Sequence, residues 1–122
     1  MAVRFVLDTN AVLYLLGGRL ATVLEPGEYY VSVISEMELL SYPDLATNDE
    51  NQLRAFLASI TLVELTAEVK TAAIELRRRH SVKLPDAIVA ASALVLGAEL
   101  LTNDQQLLRI AGVSGRSLRL KP

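Results

Sequence analysis

Residues 3–10, with the sequence VRFVLDTN, decide the fold class of this chain. The run at residues 3–7 is mostly apolar and rich in β-forming side chains, which is typical of a strand buried inside a parallel sheet. The three residues at 8–10 favour turns and helix caps, and the apolar residues 11–16 after them predict a helix. The chain therefore begins with a strand that passes directly into a helix through an acidic turn.

The rest of the chain continues this alternation of strands and helices. Further strands are predicted at residues 29–34, 60–65, 99–101 and 117–120, and further helices at residues 35–42, 47–59, 66–79, 85–97 and 104–111. Residues 47–50, TNDE, match a capping box at the start of one of these helices. The order predicts an α/β sandwich around a mainly parallel sheet, in a single domain over residues 1–122.

The composition excludes several kinds of site. The 122 residues include no cysteine and one histidine, His80, which rules out disulfides, cysteine-ligated zinc, a cysteine nucleophile and a metal site built on several histidines. The absence of cysteine agrees with a reducing cytoplasm. The most apolar stretch, residues 87–98, is too short to span a bilayer, so we expect a cytoplasmic protein with no membrane segment.

Four carboxylates occur where a parallel sheet collects its functional side chains. Asp8 follows the first strand, and Asp104 follows the strand at residues 99–101. Glu38 is expected in the first turn of the helix after the second strand, and Asp86 begins a later helix. Because the carboxyl ends of parallel strands lie along one edge, we expect these four acids to share one cleft.

Each of these acids also has a purely structural interpretation. Asp8 and Asp104 suit helix caps, Asp86 suits the positive end of a helix dipole, and Ser35 with Glu38 matches a capping box. Four neighbouring carboxylates nevertheless repel one another unless a cation lies between them. Hard divalent ions such as Mg²⁺ or Mn²⁺ take oxygen ligands of this kind and can activate water for phosphoester hydrolysis. The pattern therefore favours a metal site.

Four motifs in this order resemble those of the PIN domain, and especially the VapC-type toxins of prokaryotic toxin–antitoxin pairs. They are VLDTN at residues 6–10, SEMEL at 35–39, LPDA at 84–87 with AASA at 90–93, and LTND at 101–104. The resemblance spans nearly the whole chain. It departs where Leu107 replaces an aromatic residue frequent in the family, and where the usual glycine is missing after the second motif.

The resemblance implies a PIN-like three-layer sandwich with a central, mainly parallel sheet flanked by helices. It makes four residues both catalytic and metal-binding, with two polar residues in support: Asp8, Glu38, Asp86 and Asp104, supported by Asn10 and Thr102. The implied activity is Mg²⁺- or Mn²⁺-dependent endoribonuclease cleavage of RNA. The implied partners are a second copy of the chain, as a homodimer, and a cognate antitoxin protein.

Other functions remain open on the sequence. A catalytically silent PIN-fold module that binds RNA or a protein partner has the same fold, but all four acids are present. A phosphatase with Asp8 as nucleophile needs a second acid two residues later, where this chain has Asn10. A response-regulator receiver needs a phosphoacceptor aspartate after a later strand, where this chain has Ser35.

Basic residues cluster at two places, although the formal net charge of −2 provides no general attraction to nucleic acid. The first cluster is a candidate RNA-binding surface made of Arg77, Arg78, Arg79 and Lys83. Its alternative is a solvated helix end, where the dipole favours cations. The second cluster, near the C-terminus, comprises Arg109, Arg116, Arg119 and Lys121. We expect His80, at the end of the first cluster, to be exposed to solvent.

Overall fold

The computed structural model describes residues 2–122, in which successive strands are separated by one or two helices. The strands are β1 (Arg4–Leu7), β2 (Glu28–Ser32), β3 (Thr61–Val63), β4 (Glu99–Leu101) and β5 (Gly115–Arg116). The helices are α1 (Thr9–Leu16), α2 (Val33–Leu40), α3 (Thr47–Ala58), α4 (Ala67–Arg79), α5 (Leu84–Leu96) and α6 (Gln105–Leu108). Within residues 2–122, no helix combines the length and the hydropathy that a membrane crossing needs.

The strands form one parallel sheet in the order β3-β2-β1-β4-β5. β1 lies at the centre, where Phe5, Val6 and Leu7 are fully buried. Since both faces of this strand are covered, all three positions are apolar and no alternation with polar residues is seen. The predicted parallel sheet is therefore confirmed, with one antiparallel bridge, Leu20 to Leu120, outside the named strands.

Helices cover both faces of the sheet and give the molecule three layers. Val6 and Leu100 point to a core built with α4 and α5. Phe5, Leu7 and Leu101 point to the opposite core, built with α1, α2 and α3. Successive side chains of a strand point to opposite faces, so each central strand contributes to both cores. The predicted three-layer architecture is confirmed.

One predicted helix start and one predicted capping box are wrong. α2 begins at Val33 instead of residue 35, because the buried hydroxyl of Ser32 caps it by accepting a hydrogen bond from the N–H of Ile34 at 3.2 Å. The second strand consequently ends two residues earlier than predicted, at Ser32. The capping box at residues 47–50 does not form, because Thr47 is already helical and Ala46 occupies the cap position.

The C-terminal elements also differ from prediction. The last strand is Gly115–Arg116 and not residues 117–120, because pairing with β4 selects it: Thr102 N–H donates to the carbonyl of Arg116 at 3.1 Å. α6 ends at Leu108 and not near residue 111. A short edge strand held by its neighbour needs no apolar pattern of its own, so the sequence carried little information about it.

Candidate active site

Asp8 lies between β1 and α1 and is nearly buried, at 7% exposure. Its Oδ1 accepts a hydrogen bond from the N–H of Ala11 at 2.7 Å, and its Oδ2 accepts one from the hydroxyl of Thr102. Burial raises the pKa of the Asp8 carboxyl, the two hydrogen bonds lower it, and the charges of Asp104 and Glu38 raise it further. Asp8 thus caps α1, and its carboxylate is also repelled by the charges of the neighbouring acids.

Thr102, immediately after β4, connects two of the acids. Its fully buried hydroxyl donates to Asp8 and accepts a hydrogen bond from the N–H of Asp104 at 3.0 Å. Asp104 caps α6 by accepting from the N–H groups of Gln106 at 2.8 Å and Leu107 at 3.3 Å. The carboxylates that follow β1 and β4 are therefore fixed relative to each other through one threonine.

Glu38 lies in the second turn of α2, not in the first, because this helix begins at Val33. Its Oε1 lies 2.8 Å from the hydroxyl of Thr9, which is also 2.9 Å from the buried hydroxyl of Ser35. The capping-box interpretation of Ser35 and Glu38 is wrong, since Ser35 is inside the helix. The sequence did not predict Thr9 or Ser35 as site residues, although both lie within the motifs that contain the acids.

Asp86 lies half-buried in the first turn of α5. Burial raises the pKa of its carboxyl most, followed by the charges of Asp104, Glu38 and Asp8, whereas Lys83 lowers it. The four acids are therefore close enough to interact electrostatically. Among residues 2–122, none of them forms an ion pair with a lysine, arginine or histidine within 4.0 Å.

The four carboxylates are neighbours without forming a closed ligand shell. In the described part of the chain, no three Asp, Glu, His or Cys side chains are arranged closely enough to hold an ion as they stand. Their chemistry nevertheless fits a hard cation, because they offer only oxygen donors, repel one another and form no ion pair with any cation in the described part of the chain. Hydrogen bonds hold the carboxylates of Asp8 and Asp104, and the hydroxyl of Thr9 lies 2.8 Å from Glu38.

The other predicted site residues have varied surroundings. Asn10 is exposed on α1, and no hydrogen bond within residues 2–122 joins its side chain to an acid. Arg116, in the second basic cluster, is held by Glu25 at 2.9 Å and Glu99 at 2.9 Å. His80 is half-buried at the end of α4, so the expectation that it would be exposed is wrong.

The first basic cluster is divided between two environments. Arg78 and Arg79 pair with Glu75 at 3.7 and 3.5 Å on the exposed surface of α4. Arg77 instead donates from Nε to the carbonyl of Val82 at 3.2 Å, across the connection between α4 and α5. Lys83 occupies the N-cap position of α5, the helix that carries Asp86.

Comparisons with known proteins identify the family that this geometry matches. A family model described as the PIN domain matches residues 5–113. Comparison with curated protein sequences gave no match. A toxin–antitoxin complex from Klebsiella pneumoniae contains a chain with 27% identity and a TM-score of 0.76, over 88% of this chain and 93% of that one.

Two further solved structures share the fold at lower identity. VapBC2 from Rickettsia felis, bound to a DNA fragment from their promoter, aligns with 20% identity and a TM-score of 0.76, over 95% of this chain and 99% of that one. VapBC-1 from nontypeable Haemophilus influenzae aligns with 17% identity and a TM-score of 0.76, over 94% and 98% of the two chains.

Proposed function

This chain belongs to the PIN domain family, a family of nucleases, and from that premise we propose that it is a metal-dependent endoribonuclease. The observation that carries the proposal is the group of four mutually repelling acids at the carboxyl edge of the parallel sheet, none of which forms an ion pair with another residue among 2–122. Such an edge is where open α/β folds place their sites. The four acids predicted from the motifs, Asp8, Glu38, Asp86 and Asp104, are the proposed catalytic and metal-binding residues.

The proposed cofactor is Mg²⁺ or Mn²⁺, held by the carboxylates of these four residues. When bound, a divalent ion lowers the pKa of water for attack on phosphorus and offsets the charge of the phosphate. The chain itself orients the acids: Thr102 fixes the carboxylate of Asp8, and Thr9 lies against Glu38. The N–H groups at the start of α6 fix Asp104.

The proposal is tested by incubating the protein with a mixed pool of RNA in Mn²⁺, in Mg²⁺ and in EDTA, beside a DNA pool of the same sequences. We expect fragments only from RNA and only with metal. Equal cleavage in EDTA would refute the metal requirement. If neither ion supports cleavage and calorimetry detects no metal binding, the silent PIN-fold module becomes the better proposal.

A second prediction concerns the support that Thr102 provides. Thr102→Val keeps the shape of the buried side chain but removes both the donor to Asp8 and the acceptor for the N–H of Asp104. We expect metal affinity, measured by calorimetry, to fall by about 10- to 100-fold, as is common when a group supporting a ligand is lost.

The matched variant for this prediction is Thr102→Ser, which keeps the hydroxyl. We expect it to retain most of the metal affinity of the wild type. A loss of affinity as large in Thr102→Ser as in Thr102→Val would mean that packing of the methyl group, and not the hydrogen bonds, supports the site.

We further propose that the chain is the toxin of a toxin–antitoxin pair, that it forms a homodimer and that it acts in the cytoplasm. Support comes from the toxin–antitoxin complex from Klebsiella pneumoniae, which is 27% identical over most of both chains. Exposed apolar side chains on the helices beside the acids, Leu13 and Leu16 on α1 and Met37 on α2, are suited to burial against a protein partner.

A further inference from the structure

A basic cavity lies between the α4–α5 connection and α6. It has a volume of about 480 Å³ and is lined by Arg77, His80, Ser81, Val82, Lys83 and Gln106. None of these residues is acidic, two are cationic and one is the only histidine of the chain. The lining side chains therefore offer hydrogen-bond donors and positive charge and include no carboxylate, which suits an anion.

This basic cavity adjoins the acids at two points. The backbone N–H of Gln106, which lines the cavity, donates to Oδ1 of Asp104 at 2.8 Å. Lys83 lies three residues before Asp86. Burial and the neighbouring acids raise the pKa of Asp86, and the positive charge of Lys83 lowers it. The basic cavity is therefore next to Asp104 and Asp86.

A hydrogen bond across the connection between α4 and α5 joins two residues of the cavity lining. The Nε of Arg77 donates to the carbonyl of Val82 at 3.2 Å, which positions the guanidinium. Within residues 2–122, its terminal nitrogens form no ion pair. Arg78 and Arg79 do not line the cavity and instead pair with Glu75. Of the basic cluster predicted from the sequence, only Arg77 and Lys83 thus face this cavity.

We propose that the basic cavity binds a phosphate of the RNA strand next to the phosphate that is cleaved, with Arg77 and Lys83 as its cationic ligands. The inference rests on the proposed function, since it takes RNA as the substrate of the neighbouring acids. A guanidinium and an ammonium are the side chains that proteins use most for phosphate. A chain with a net charge of −2 has no general attraction for RNA, so its grip must come from local sites of this kind.

Binding, measured separately from cleavage, tests this assignment. The probe is a short, fluorescently labelled single-stranded RNA pool, titrated by anisotropy against Asp8→Asn protein in saturating Mg²⁺ at several salt concentrations. Adding Lys83→Gln is expected to weaken binding about tenfold, equivalent to one charge-assisted contact. It should also reduce the slope of log affinity against log salt by about 0.7, the value for one phosphate contact of a single strand.

Arg78→Gln is the matched control, because it removes the same charge from the same region outside the cavity. We expect its affinity to stay within about twofold of the Asp8→Asn background, and Lys83→Arg to bind like that background. Equal losses for Lys83→Gln and Arg78→Gln, no loss for either, or no RNA binding by the background protein would each overturn the assignment. Failure of the wild type to cleave RNA would count against the proposed function alone, since the binding comparison does not depend on turnover.

Discussion

Replacing Asp8 with asparagine is expected to lower the rate of RNA cleavage by about 100- to 1,000-fold, while the protein stays folded. Asparagine keeps the volume and its carbonyl oxygen can still accept from the N–H of Ala11, so α1 keeps its cap. The substitution removes the negative charge and one oxygen from the proposed metal site. Losing a few kcal/mol of charge stabilisation in the transition state corresponds to a rate loss of this size.

The matched control for Asp8→Asn is Asp44→Asn, the same chemical change at an exposed loop residue. Asp44 has a φ of 62°, a conformation that asparagine adopts readily, so this variant should fold and cleave like the wild type. Initial rates on the RNA pool in Mn²⁺, together with thermal melts of all three proteins, decide the matter. Turnover by Asp8→Asn within threefold of the wild type would remove Asp8 from the proposed catalytic set.

The second large effect is expected in the pH dependence of stability without metal. Asp8 and Asp86 both have raised pKa values in the folded protein, so the folded state holds these protons more tightly than the unfolded state. The free energy of unfolding should therefore decrease as the pH rises from about 4, the unfolded value, through the raised values. Above that window these two groups cause no further loss.

Metal should restore this lost stability at neutral pH. An ion at about 100 times its dissociation constant adds roughly 2.7 kcal/mol, which for a domain of this size shifts the melting temperature on the order of 10 °C. We expect Asp86→Asn to flatten the pH dependence in EDTA and to respond less to Mn²⁺ or Mg²⁺. Thermal melts between pH 4 and 8 measure both effects, with Asp44→Asn as the control.

Two results would contradict this account of the acids. One is a pH dependence in EDTA that is identical for the wild type and Asp86→Asn, because the charge of Asp86 would then have no bearing on stability. The other is an equal gain in melting temperature from metal for both proteins, which would place any bound ion away from Asp86.

The sequence predicted the centre of the fold better than its periphery. The uninterrupted apolar run at residues 5–7 indicated a strand covered on both faces, and β1 is that strand. Gly115 and Arg116 carry no such information, because their strand forms only by pairing with β4. The early start of α2 depended on whether Ser32 or Ser35 would act as the cap, a choice that the surrounding packing makes.

In the candidate site, too, the features set by local sequence were predicted, and those set by contacts between distant elements were not. The motifs identified the four acids, whereas the contact of Thr9 with Glu38 depends on α1 and α2 lying side by side. The sequence could have predicted that Arg78 and Arg79 are paired and Arg77 is not. Glu75 precedes Arg78 by three residues and Arg79 by four, which are the spacings of ion pairs within a helix. The cavity required knowledge of where α6 lies.

The double use of Asp8, as a helix cap and as a proposed metal ligand, narrows the routes by which such a chain can evolve. Most substitutions at this position remove the cap, and the resulting loss of stability is visible to selection whether or not the nuclease is needed. Asparagine is one of the few residues that keeps the cap, and a single nucleotide change converts an aspartate codon into an asparagine codon. A lineage losing catalysis would therefore pass most easily through asparagine here, and would keep a folded protein.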